Sequence, residues 1–152
     1  MIKVLFVCWG NICRSPMGEY ILKHMVEERG IANDFYIESA ATSTEEIGNP
    51  VYPPARSELN RHGINCDGHR ARQVRKSDYD DFDIIIAMEQ IHVDIMIRRF
   101  FGNDNDKKIR LCMELANRPG EAVDDPWYTG RFNEVYNQIA EACEGLLREY
   151  GY

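Results

Sequence analysis

The residues of this chain best suited to chemistry are a cysteine and an arginine six positions apart, in Cys8-Trp9-Gly10-Asn11-Ile12-Cys13-Arg14-Ser15-Pro16. An apolar, β-branched run over residues 2–7 precedes them and a helical pattern opens at Pro16, so the thiol sits on a strand-to-helix loop. In a parallel sheet such a loop lies at the carboxyl end of a strand, where crevices form. Free N–H groups at the start of the helix, its dipole and the Arg14 guanidinium all favour an anion at the centre of the loop, and phosphate fits. Gly10 and Asn11 tolerate the left-handed conformations that would curl a backbone around it. The same field favours thiolate over thiol at Cys8, which makes Cys8 a nucleophile, while the planar fork of Arg14 suits two oxygens of a phosphoryl group.

A second chemical stretch is Asp124-Asp125-Pro126-Trp127-Tyr128. Pro126 pushes Asp125 toward an extended conformation, so its carboxyl is expected on display from a loop, where it suits a general acid. Taken alone, the stretch also reads as a turn with a solvated acidic pair, and its two aromatics as core or rim residues. Cys13 likewise reads as a small buried residue under the loop, and His69 as a surface histidine in the polar, basic stretch 68–76.

The elements that must position these residues follow from periodicity and punctuation. A helix is predicted over 16–29, with Ser15 at the N-cap, Pro16 at the first helical position, Met17, Ile21 and Met25 beside Gly18, Leu22 and Val26 on one face, and Gly30 past the end. Residues 34–40 predict a second strand and 41–54 a loop, after which Pro53 and Pro54 start a helix that Gly63 ends. The strand at 83–88 carries a run of isoleucines that suggests burial on both faces. A helix over 90–100, a strand over 108–113, a Pro/Gly-punctuated loop over 114–130 and a helix over 131–149 complete the chain. That last helix gathers Phe132, Val135, Ile139, Cys143, Leu146 and Leu147 on one face. Strands alternating with helices imply an α/β fold, a doubly wound four-stranded parallel sheet with helices on both faces, Rossmann-like.

At 152 residues and 44% hydrophobic composition the chain is expected to form one domain. A net charge of -7 argues against a nucleic-acid partner, and no apolar run reaches membrane-spanning length. The first residues lack the apolar region of a signal peptide, and five cysteines without regular spacing fit a reducing, cytoplasmic setting.

The string from Val7 to Pro16 resembles the signature loop of the low-molecular-weight protein tyrosine phosphatases, and the resemblance extends over nearly the whole chain. It implies the phosphotyrosine phosphatase I type of fold, phosphotyrosine proteins or aryl phosphates as substrates, phosphate or other oxyanions as inhibitors, and no metal or cofactor. Carried over, Cys8 is the nucleophile; Trp9, Gly10, Asn11, Ile12, Cys13, Arg14 and Ser15 form the phosphate loop, with the Ser15 hydroxyl stabilising the thiolate. Asp125 is the general acid and then base, Ser39 and His69 support the loop together with Asn11, and Trp9, Trp127 and Tyr128 wall the pocket. Cys13 is implied as a redox guard of Cys8. Two residues depart from the pattern: Glu89 stands where the family typically has Asp, and Glu45 where many relatives carry a rim aromatic.

Other readings stay open at this point. Cys8, Cys13, Cys66 and His69 form a possible zinc set, which the cation Arg14 would oppose. Arsenate reductases of similar fold use an extra cysteine pair after the third strand, and residues 87–99 contain none. Related protein arginine phosphatases carry Thr where this loop has Ile12, and a non-catalytic phospho-reader would need neither Cys8 nor Asp125.

Overall fold

In a computed structural model covering residues 1–152, four parallel strands run in the order β2-β1-β3-β4. They are β1 (Ile2–Cys8), β2 (Phe35–Ala41), β3 (Ile84–Ala87) and β4 (Ile109–Leu111). The helices are α1 (Arg14–Glu28), α2 (Pro53–Arg61), the single turn α3 (Asp78–Asp81), α4 (Gln90–Met96), the single turns α5 (Cys112–Leu115) and α6 (Pro126–Thr129), and α7 (Phe132–Glu149). The connection leaving β1 runs to β2 on one side and the connection leaving β3 runs to β4 on the other, so a crevice opens between the carboxyl ends of β1 and β3.

The two-residue period of β1 decides where Cys8 goes. Val4, Phe6 and Cys8 face one side, in a core shared with Met17, Ile21 and Leu22 of α1 and Val135, Ile139 and Leu146 of α7. Leu5 and Val7 face the other side, against Phe82, Ile85 and Met96. Helices thus cover both faces, and Cys8 emerges on the face of α1, the helix that follows it. α1 lies close to the sheet because of Gly18, where a Cβ would stand 2.5 Å from Phe6. Gly145 does the same for α7, since a Cβ there would stand 1.7 Å from the Leu115 carbonyl oxygen.

Several boundaries differ from the sequence expectation for local reasons. α1 begins at Arg14, so Ser15 lies inside the helix and makes no cap; Pro16 is its third residue rather than its first. The predicted 90–100 helix changes to a π-helical turn over Ile97–Phe101, ended by Gly102 at φ 81°. The fourth strand is three half-buried residues long, because Cys112 turns into α5 to bury itself beneath α7. The 78–81 segment makes a turn where none is expected, with the buried Asp78 carboxylate accepting from the Arg75 N–H at 2.8 Å. α6 interrupts the 114–130 loop, and Asp125 is its N-cap, accepting from the Trp127 N–H at 3.1 Å.

Candidate active site

The loop between β1 and α1 is held by a hydrogen-bond network whose directions can be read outward from the backbone. The Arg72 N–H can only donate, so the Asn11 atom that it meets at 3.1 Å is Oδ1, and Nδ2 is the donor. Nδ2 donates to Ser15 Oγ at 2.8 Å and to Ser39 Oγ at 2.9 Å. Ser39 then donates to Glu19 Oε1 at 2.5 Å, and Ser15 Oγ lies 3.0 Å from Cys8 Sγ and 3.4 Å from the Ala40 carbonyl oxygen, either of which can take its proton. Sγ also receives the Asn11 N–H at 3.4 Å. The Asn11 carbonyl oxygen can only accept, so the His69 nitrogen 2.8 Å from it, Nε2, carries hydrogen. Asn11, Ser15, Ser39 and His69 are all buried, which makes each of these bonds costly to lose.

Two expectations are refined here. Asn11 does adopt the left-handed conformation, at φ 59°, whereas Gly10 does not. A Cβ at position 10 would meet the Glu46 side chain at 3.4 Å, an ordinary contact, so neither backbone conformation nor space demands glycine there. Ser15, expected as a helix cap, is the hydroxyl beside Cys8.

Arg14 is buried at the floor of the pocket. Its Nη1 donates to Glu89 Oε2 at 2.6 Å and to the Val123 carbonyl at 2.8 Å, while Nη2 stands 3.6 Å from Asp125 Oδ2. Burial opposes its charge; Cys8, Glu89 and Asp125 outweigh that and hold its pKa above the ordinary value. Glu89 therefore supplies a carboxylate to Arg14 despite being one methylene longer than the Asp typical of the resemblance. Val123 is placed by its N–H, which donates to the Met88 carbonyl at 3.1 Å just past β3, so the end of the sheet positions the Asp125 loop. Cys13, on the same loop as Cys8, has its pKa raised by burial and by the neighbouring Cys8, which keeps it a thiol.

Cys8, Trp9, Ile12, Cys13, Arg14, Asp125, Trp127 and Tyr128 line one pocket of about 190 Å³, with Gly10, Glu45 and Glu46 completing it. Tyr52 packs against Trp127 with the rings tilted by 41° and their centroids 4.6 Å apart, which supports that wall. Tyr128 is largely in solvent. Sequence reasoning did not find Glu19, Tyr52 or Arg72, nor His92, whose ring is buried in the first turn of α4 with Nδ1 unpartnered. Burial and the charge of Arg14 hold the His92 pKa down to about 4. No three His, Cys, Asp or Glu side chains converge as metal ligands, and the possible zinc set is split because His69 is turned to the Asn11 carbonyl.

The family profile of low molecular weight phosphotyrosine protein phosphatase matches residues 3–151. The chain belongs to that family. Relatives of this low molecular weight phosphatase family include YfkJ of Bacillus subtilis, a low molecular weight protein-tyrosine-phosphatase 42% identical over 148 residues, covering 97% of this chain and 94% of that one. The Gallus gallus low molecular weight phosphotyrosine protein phosphatase is 37% identical over 150 residues, covering 97% and 94%. The crystal structure of YfkJ superposes with a TM-score of 0.93 at 41% identity, covering 98% of this chain and 94% of that chain. The structure of a Drosophila arginine phosphatase gives 0.88 at 35% identity, covering 99% of both chains. The family fold is thus shared by proteins named for two different phospho-amino acids.

Proposed function

We propose that the chain, as one domain over residues 1–152, is a protein tyrosine phosphatase working without metal or cofactor through a cysteinyl-phosphate intermediate. The observation that carries this reading is the meeting in one pocket of Cys8, Arg14 and Asp125, which come from the end of β1, the start of α1 and the α6 turn. Cys8 Sγ attacks phosphorus, and the tyrosyl C–O–P link breaks at the P–O bond. Asp125 gives its proton to the departing phenolate, whose conjugate acid has a pKa of about 10. The N–H groups of the loop and Arg14 hold the equatorial oxygens. Asp125, now a carboxylate, takes a proton from the water that attacks the thiophosphate, releasing phosphate and restoring the Cys8 thiolate.

Ser15 and the Asn11 N–H support the thiolate, Ser39 and His69 support Asn11, and Trp9, Trp127 and Tyr128 flank the aryl ring. Ile12 lines the pocket with an apolar, branched side chain, which favours an aryl group over a guanidinium. Cys13 acts as a redox guard: peroxide oxidises the Cys8 thiolate to sulfenic acid, and the Cys13 thiol displaces water to form a disulfide that a dithiol reverses. The substrates proposed are phosphotyrosine proteins, with inorganic phosphate as an inhibitor, in a cytoplasmic setting.

The test is turnover of a phosphotyrosine peptide and a phosphoarginine peptide with chelator present and with Cys8→Ser as control. Phosphotyrosine turnover that chelator spares and Cys8→Ser abolishes is expected, with Ile12→Thr shifting the ratio toward phosphoarginine. Equal or greater wild-type efficiency on phosphoarginine would overturn the tyrosine assignment.

A further inference from the structure

We propose that Glu45 and Glu46 make this pocket selective for phosphotyrosine segments that carry lysine or arginine beside the phosphotyrosine, with Glu45 also positioning the Trp9 wall. This deepens the phosphatase reading above and rests on it. Both side chains line the same pocket as Cys8 and Arg14. Their loop is fastened to the phosphate loop: the Ser43 N–H and Oγ donate to the Trp9 carbonyl at 3.0 and 2.8 Å. Trp9 Nε1 donates in turn to Glu45 Oε2 at 3.0 Å, and Glu46 packs over Gly10 while accepting from Asn49 Nδ2 at 2.5 Å. Each carboxylate thus has one hydrogen-bond partner that places it at the rim, Glu45 exposed and Glu46 half-buried.

Their charges have no counter-ion. Neither forms an ion pair with a lysine, arginine or histidine of the chain. Arg14 is the one cation among the lining residues, and it lies buried at the floor, already facing Glu89 and Asp125. The pocket thus places positive charge where the phosphoryl group goes and negative charge where the residues flanking the tyrosine emerge. A cationic flank neutralises the rim, and an acidic flank adds repulsion. Each exposed pair contributes modestly, so two acting together are expected to give about threefold to tenfold in kcat/KM between basic and acidic flanks.

The experiment compares three phosphotyrosine peptides of one length, with lysine, alanine or glutamate on both sides, on the wild type, Glu45→Gln, Glu45→Ala, Glu46→Gln and the double Glu→Gln protein. The wild type should rank lysine over alanine over glutamate, with the spread carried in KM and shrinking between about 0.05 and 0.5 M salt as the charges are screened. The double Glu→Gln protein should lose most of the spread. Glu45→Gln keeps an acceptor for Trp9 whereas Glu45→Ala does not, so only Glu45→Ala should alter Trp9 fluorescence and raise KM for the alanine peptide. Equal wild-type efficiencies, a preference for glutamate or a spread retained in the double variant would overturn the inference and leave the phosphatase reading standing. No turnover of any peptide would overturn both.

Discussion

The loop that carries Cys8 and the turn that carries Asp125 are built in opposite ways. Around Cys8, polar side chains are buried and joined in a chain of bonds from Arg72 through Asn11 to Ser15 and Ser39, with His69 clamping the Asn11 carbonyl. Asp125 instead caps a four-residue turn at the surface, held by its bond from the Trp127 N–H, by Arg14 to the Val123 carbonyl and by the tilted packing of Tyr52 against Trp127. Buried, fully paired polar groups specify one geometry, whereas an exposed turn opens at low free energy. Under the proposed mechanism the nucleophile Cys8 would be fixed in advance by buried bonds, and the proton donor Asp125 would ride on a part-exposed surface turn held by fewer buried bonds.

That contrast predicts different consequences for damage at each place. The largest separable effect is expected at Asp125: Asp125→Asn should slow aryl phosphates with poor leaving groups by about 10²- to 10⁴-fold, and good ones far less, while changing stability by no more than about 1 kcal/mol. A leaving-group series with denaturant midpoints checks both halves, and equal slowing across the series would remove Asp125 from the acid role. Asn11→Ala should do the reverse, destabilising the whole protein by about 2 to 4 kcal/mol, because it strands the Arg72 N–H, Ser15 and Ser39 and leaves an alanine at positive φ. A loss of activity without a shift in the unfolding midpoint would contradict the rigid-loop half of the comparison.

A smaller, pH-dependent effect belongs to His92, whose ring feels both Arg14 of the first region and Asp125 of the second. Its pKa is near 6.5 when unfolded and about 4 when folded. Between those values the unfolded chain binds more protons, so stability falls as pH drops through that window and is fully present above it. The loss reaches about 3 kcal/mol at the acid end. Unfolding midpoints at pH 7 and pH 4.5 should therefore differ more for the wild type than for His92→Gln, and equal differences would show that this ring carries no such penalty.

The parts of this architecture that were legible in the sequence are those with long periods. β1, α1 and α7 carry enough apolar residues in register to announce which face is buried, and the strand alternation leads to the doubly wound sheet. Cys8 and Arg14 stand out through the longer string that runs on into Ser15-Pro16 and a helix, since the bare pair at that spacing is weak, and Asp125 stands out only beside that loop, since Asp124-Asp125-Pro126 alone reads equally as a solvated turn. For Ser15 the helix-cap reading fails while the resemblance places its hydroxyl beside the sulfur: a small hydroxyl before proline is the same local signal whether it caps a helix or, one residue inside, turns toward Cys8. Glu19 and Arg72 look like solvated charges until Ser39 and Asn11 are folded against them. The Val123 carbonyl that helps to hold Arg14 is backbone and leaves no side-chain trace at all. β4 is short and half-buried at the sheet edge, so the apolar run through Cys112 and Met113 reads as strand when it is the start of a turn under α7.

The most direct test of the central claim is rapid acid quench of the wild type during turnover of an aryl phosphate, followed by peptide mass mapping. The account predicts one phosphoryl group, on the sulfur of Cys8, appearing in a burst with the first equivalent of phenol and absent from Cys8→Ser. Turnover with no phosphorylated cysteine, or with the phosphoryl group on Cys13 or any other residue, would contradict it.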